Sequence, residues 1–600
     1  METKTPKEIV EGVLDTPTTK KLWSSVYTPV LPFTPQSYSM GAILPAMLFM
    51  FRWGHRRGKG TFIKTFGKLE NNKVIQPTIE DVANKLSQKH DWFEGFAEQT
   101  EKAILGDMLL TFCLENKNHF MGRTEQIQRA FPTHYFSSWI DLPEKVANLR
   151  NIPEMLVSIL VEQEEGEYLK KTNRKSYFNI SLSIDENIFL SLFGNSIEIK
   201  GDYLTNKKSD QFTEIDEKNT IGLDQLLTTR SALSCGEAPG KALGSKDESE
   251  NIPNRCPIAK VAAKFFREDL SVFLQAYGGS IPRQSFLQML ESCFSLGITN
   301  IYFSTVNMLL EWESTGVLPQ KELQSPWTIF VDCSCGNDTE LRKLAEESMD
   351  EFLRRFNRFP IIMMCLRILE DKVKYDRELR NTLPPIQPDA TEFINLLGSV
   401  FHRYHPRSGK ILDDLDEKCL RLADALKEEG EKPAIQENLR DGNINPVLRM
   451  AEAICLLMED KNQNAKYIQA IDSSLMIDQP NGLAKKRKIQ RSRVSGKKTV
   501  RDARSIVLTN TMLDFLVHRH LRKASKKSTS LSFVDFIRLL RERYGIYIDQ
   551  SPPDMSIPFE LLHQNRRIFE KRLRDLGVLL GVNDAESMKR LKQRFKSEDD

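Results

Sequence analysis

Between Lys485 and Arg501 the chain reads KKRKIQRSRVSGKKTVR; nine of these seventeen residues are Lys or Arg and none is acidic. Cations at this density neutralise phosphates, so the chemistry indicated is contact with a nucleic-acid backbone. Lys485, Lys486, Arg487, Lys488, Arg491, Arg493, Lys497 and Lys498 are the residues expected to make it. A second set follows in Gln564, Arg567, Lys571 and Arg574. Spaced by three and four, they share one face of a helix. Long donor-bearing side chains on a helix match the base edges of a major groove.

Other stretches have a weaker chemical signature. FRWGHRRGKGTF (Phe51 to Phe62) carries Gly54, Gly58 and Gly60 with Arg56, Arg57 and Lys59, a composition suited to touching a phosphate. It departs from a nucleotide-hydrolysing loop, because three residues rather than four separate Gly54 from Gly58-Lys59 and no hydroxyl follows the lysine. WTIFVDCSCGNDTELRKLAEES has the outline of strand, turn and helix, with Asp332 and Ser334 at the strand's end and Asp338 or Thr339 as cap. Cys333 and Cys335 with Cys235 and Cys256 have the spacing C-x20-C and C-x-C, which is not a zinc pattern. His402 and His405 precede Asp413, Asp414 and Asp416 but lack a third well-spaced ligand, and the acidic run reads as a helix start. No nucleophile–base pair can be named, and neither a metal nor another cofactor is expected.

The elements that position these residues are mostly helical. Six hundred residues exceed one core, so several domains are expected. Residues 1–163 read as a helical domain; within it TIEDVANKLSQKH opens on a capping Thr78 with Asp81 three residues on. MGAILPAMLFMF (Met40 to Phe51) is too short for a membrane span of about twenty residues and reads as a buried segment. Residues 164–254 are mixed and loop-rich. Residues 255–460 read as a helical central domain with a strand near 327–334, and residues 461–504 as a basic linker.

Residues 505–600 resolve into three tail helices and short strands. The first helix is placed on SIVLTNTMLDFLVHRHLRK, with Ile506, Leu508, Met512, Phe515 and Leu516 on its apolar face. The second, SFVDFIRLLRERYG, is capped by Ser532 with Asp535 at its third position and ended by Gly545. The third, IPFELLHQNRRIFEKRLRDLG, ends at Gly577 and carries Leu562, Phe569, Leu573 and Leu576 inward. VLLGV follows as a strand and DAESMKRLKQRF as a last helix capped by Asp584. The fold class is therefore mainly α and multidomain, with short β elements and a C-terminal winged helix-turn-helix-like domain whose third helix would enter a groove.

Charge is divided unevenly along the chain. From Lys485 to Asp600 there are 28 Lys and Arg against 14 Asp and Glu, a net +14, while the rest has 57 against 68, a net −11. A basic module that meets a polyanion and an acidic body that does not is the arrangement expected. The nine cysteines are scattered and read as reduced thiols of a cytoplasmic protein, without a membrane partner.

The stretch LDFLVHRHLRK…FIRLLRERYGIYID…NRRIFEKRLRDLGVLLGVNDAESMKRLKQRF resembles the C-terminal modules of large accessory proteins from bacterial anti-phage defence islands, with an echo in FVDCSCGNDTELRKLAEES. The resemblance implies a non-catalytic accessory subunit, working with protein partners that supply ATPase, methyltransferase or nuclease activity. Nucleic acid is the expected ligand, DNA rather than RNA. Two alternatives stand beside this reading. One is a nucleic-acid-processing enzyme with a site near Asp332 or His402 and His405. The other is a nuclear regulatory protein for which KKRK is the import signal, against which stands the lack of long low-complexity tails.

Overall fold

The computed structural model describes residues 4–14, 22–24, 26–53, 60–117, 126–133, 137, 140, 149–161, 178, 187–193, 222–236, 256–320, 324, 326–386, 389–428, 433–458, 460–492, 498–522, 530–581 and 589–597. The chain is mainly helical. It divides into two units. One holds Met1–Ser37, Cys256–Leu270 and Gln288–Arg594; the other holds Tyr38–Arg255, Ser271–Leu287 and Phe595–Asp600.

In the second unit, Thr78 accepts from the Asp81 amide and Asp81 returns a bond to the Thr78 amide, the reciprocal cap that the sequence suggests. The helix it starts, Ile79–Leu86, and the helix Gln99–Phe112 bury Val82, Leu86, Leu105 and Leu109 with Phe62 and Phe66. Ile104 and Phe112 of the latter helix lie outward. The apolar run from Met40 forms a short 3-10 turn and the helix Ile43–Trp53, buried as expected.

The first unit is organised by the helix Arg283–Thr315, of which residues 288–315 belong to it. This helix is long and apolar enough to cross a membrane, yet its most apolar window is 89% buried inside the protein. A helix apolar on all sides has to be enclosed. Tyr302 meets Phe33, Phe356 and Phe359 edge-on, and the Trp312 indole donates to the Ile394 carbonyl at 3.0 Å.

The expected strand at Trp327–Ser334 shrinks to Ile329–Phe330, which pairs in parallel with Ile546–Tyr547. Residues 505–594 thus share one unit with residues 288–460. Gly545 closes the second tail helix, Phe533–Tyr544, with φ +66°, and a Cβ there would sit 1.3 Å from the Trp327 carbonyl oxygen. The Gly545 carbonyl itself accepts from Ile329 at 3.0 Å. Gly545→Ala should therefore cost about 3 kcal/mol or more, combining left-handed strain with overpacking against rigid backbone. The check is the denaturation midpoint of the full chain; an unchanged midpoint would mean that the strand pair tolerates separation.

Three expectations are corrected. Residues 461–504, read as a linker, are built from the helix Asp460–Ser474 and an antiparallel ribbon of Ala484–Ser492 with Lys498–Ile506. The first tail helix begins only at Asn510, capped by the Thr509 hydroxyl, because Ile506 is the last residue of the ribbon. The helix expected over DAESMKRLKQRF is replaced, within its described part, by the strand Arg590–Leu591 paired with Leu579–Leu580. Leu591 points inward and Arg590 outward, and the backbone bonds to Leu531 and Val578, so a two-residue period wins over the helical one. Asp584 lies outside the described residues.

Candidate nucleic-acid interface

The basic stretch folds as a ribbon because its residues pair across in strict register, from Ala484↔Ile506 to Ser492↔Lys498. Alternation puts Lys485 and Arg487 on one face and Lys486 and Lys488 on the other. The first face lies along the helix Thr339–Phe356. Arg487 grips Glu346 with two nitrogens at 2.5 and 2.7 Å, Arg501 reaches Asp350 at 2.5 Å, and the Lys485 ammonium donates to the Cys335 carbonyl at 2.7 Å. Glu346 and Asp350 are one helical turn apart, so they form an acidic edge for the ribbon. On the other face Arg504 and Lys486 share Asp472, at 2.5 and 3.3 Å.

Three of the eight expected phosphate contacts, Lys485, Lys486 and Arg487, are thus engaged within the protein. Lys488 is exposed, opposite Asp502. Arg491 and Lys498 occupy the outermost rungs, beyond the last of these ion pairs. Arg493 and Lys497 fall at 493–497, outside the described residues, as do Arg56, Arg57 and Lys59.

The third tail helix, Phe559–Asp575, is fixed by polar residues that sequence reading passed over. Asn565 is fully buried. Its amide nitrogen donates to Val331 and Ile548, both at 2.9 Å, and its oxygen accepts from the Cys333 amide at 2.9 Å. It thereby ties together the ends of the two parallel strands. An asparagine in line between Leu562 and Phe569 is the signal that could have revealed this. Arg572 binds the carbonyls of Cys333 and Leu508 and the Asn510 side chain. Leu562 packs with Phe330, Leu341 and Ala345.

The opposite side of this helix carries Gln564, Arg567, Lys571 and Arg574, all exposed as expected. Gln564 donates to Asp338 at 2.5 Å, and Arg574 pairs with Glu570 at 2.5 Å. Arg567 and Lys571 have no ion-pair partner among the described residues.

The turn at Asp332 joins ribbon and helix. Asp332 is buried, and its carboxylate accepts from the Ser334 amide and hydroxyl at 2.8 and 2.5 Å and from the Gly336 amide at 2.7 Å. Burial raises its pKa, with the three donors acting against that rise. Cys335 and Gly336 both take positive φ, which aims the amides inward. Asp338 caps the following helix, as expected, through the amides of Glu340 and Leu341. Lys485 from the ribbon base and Gln564 from the third helix both bond to this turn, so it carries the two basic elements together.

The other candidates are occupied by local bonds. His402 contacts the Glu313 carbonyl at 3.1 Å, and the Nδ1 of His405 accepts from the Arg407 amide at 3.2 Å. Asp414 pairs with Lys372 and Asp416 with Arg449. Burial pushes the Cys333 and Cys335 thiols up. Among the described residues no group of three or more His, Cys, Asp or Glu is placed to hold a metal ion.

A family model described as methylation-associated defense system protein MAD7 matches residues 30–595. No curated protein and no solved structure matches the chain. The chain belongs to this family and is a defence-system protein, in agreement with the resemblance of its C-terminal region to proteins of that kind.

Proposed function

We propose that this MAD7-family chain is the non-catalytic, DNA-contacting accessory subunit of its defence system, acting in the cytoplasm with protein partners that carry the chemistry. The observation that carries the reading is a pair of basic elements joined by one turn. These are the outer rungs of the ribbon, with Lys488, Arg491 and Lys498, and the exposed Arg567 and Lys571 of the third tail helix. A B-form major groove admits either a two-stranded ribbon or a helix, whereas the deep, narrow major groove of A-form RNA admits neither. DNA is therefore favoured over RNA.

The order of the tail elements supports a winged-helix-like module. Three helices, Asn510–His520, Phe533–Tyr544 and Phe559–Asp575, are followed by the pair Leu579–Leu580 and Arg590–Leu591. Ser532, just before the second helix, bridges to Arg590 and adds a third extended segment beside that pair. In such a module the third helix faces the groove and the strand pair flanks the backbone.

Full-length protein should bind duplex DNA, and affinity should fall steeply as salt rises, because each neutralised phosphate releases condensed counterions. Polarisation titrations across a salt series measure this. Absence of salt-sensitive binding to duplex DNA at low ionic strength would sink the reading.

A further inference from the structure

The third tail helix carries an aromatic side chain that its packing does not explain. Phe559, its first residue, is 76% exposed, although Leu562, Phe569 and Leu573 of the same helix are buried. Its ring stacks on His563, with centroids 6.3 Å apart and planes 28° from parallel. Residues 559, 563, 567 and 571 step by four, so Phe559, His563, Arg567 and Lys571 form one exposed stripe. The aromatic half of the stripe is two stacked flat rings, and the other half is two cations without an ion-pair partner among the described residues.

We propose that this stripe is a stacking site for an unpaired nucleobase, with Phe559 and His563 as the platform and Arg567 and Lys571 holding the phosphates next to it. The inference rests on the DNA-contacting reading and narrows its ligand to DNA in which a duplex adjoins an unpaired base. A scattered exposed apolar residue is ordinary. Here the ring is prestacked on His563, which lies one and two turns before the two cations, and this is the combination that single-stranded nucleic acid requires: a π-face for the base and positive charge for the backbone. The charge also argues for this occupant over an apolar protein surface, which would leave Arg567 and Lys571 unneutralised. Every base has a π-face, so the site reads the unstacked state and not the sequence.

The test uses the full chain with two fluorescent DNAs, a blunt duplex and the same duplex with a short single-stranded extension carrying 2-aminopurine. The wild-type protein should prefer the extended DNA by roughly tenfold and change the 2-aminopurine emission, as expected for one stacked base. Phe559→Ala should lose that preference and keep its affinity for the blunt duplex, while Phe559→Trp should retain both. The proposal is overturned if the wild type binds both DNAs equally, or if Phe559→Ala leaves the preference intact or weakens both ligands alike. Binding to neither DNA would instead remove the DNA-contacting reading along with the stacking site.

Discussion

Reversing the outer ribbon charges, Lys488→Glu with Arg491→Glu and Lys498→Glu, is expected to lower duplex-DNA affinity by on the order of 100-fold or more at moderate salt and to flatten the salt dependence by about three phosphate contacts. The inner rungs should behave differently. Arg487 already holds Glu346 with both nitrogens, and Arg504 and Lys486 already share Asp472. Arg487→Ala should therefore leave DNA affinity within about twofold, since a cation engaged with a carboxylate releases few counterions from DNA. It should instead destabilise the ribbon, because Glu346 is buried and would lose its bidentate partner. On the third helix, Arg567→Ala or Lys571→Ala should weaken binding about equally across sequences and lower the salt slope by about one phosphate contact each. Polarisation titrations at several salt concentrations separate these cases. If Arg487→Ala weakens DNA binding as much as the outer reversals do, the acidic edge is displaced by DNA and the division between inner and outer rungs is wrong.

Asp269→Ala is expected to destabilise the first unit by about 3–5 kcal/mol, the scale for removing one member of a buried charge cluster. The Asp269 carboxylate is nearly inaccessible and accepts from Arg519 at 2.8 Å, from Arg543 at 2.7 Å and from the Tyr544 hydroxyl at 2.7 Å. Three donors from the first and second tail helices thus converge on one acid more than 240 residues earlier in the chain. With the Tyr544 proton committed to Asp269, the Tyr544 oxygen is left to accept from the Nε2 proton of His520, 2.8 Å away. Burial pushes the His520 pKa well below its ordinary value, which agrees with a neutral ring. Arg543 keeps Glu268 and the Phe265 ring when Asp269 is removed, but Arg519 loses the carboxylate partner it has among the described residues. Asp269→Asn should be milder, since an amide oxygen still accepts. Urea unfolding of both variants, read by near-ultraviolet dichroism, checks this; a loss below about 1 kcal/mol for Asp269→Ala would place it among ordinary substitutions and refute the cluster's structural role.

The sequence by itself determined the local features, because their causes lie within a few residues. Caps such as Thr78 with Asp81, Ser532 and Asp338 are set by hydroxyl or carboxylate side chains three residues or fewer from the amides they satisfy. The stop at Gly545 follows from a left-handed backbone that glycine adopts freely. The exposed face of Gln564, Arg567, Lys571 and Arg574 follows from helical periodicity alone. Tertiary structure decided what those charges are for. Counting Lys and Arg gave a uniform basic stretch, but Glu346, Asp350 and Asp472 come from distant segments and neutralise its inner rungs. Asp332 looked like a reactive carboxylate at a strand's end until its own turn supplied three donors. A strand of two residues at Ile329 could not be bounded without its partner at Ile546, and Arg590–Leu591 is extended because Leu579–Leu580 lies beside it. Helical hydrogen bonds close within four residues and are legible along the chain, whereas strand pairing and charge compensation join residues brought together only by the fold.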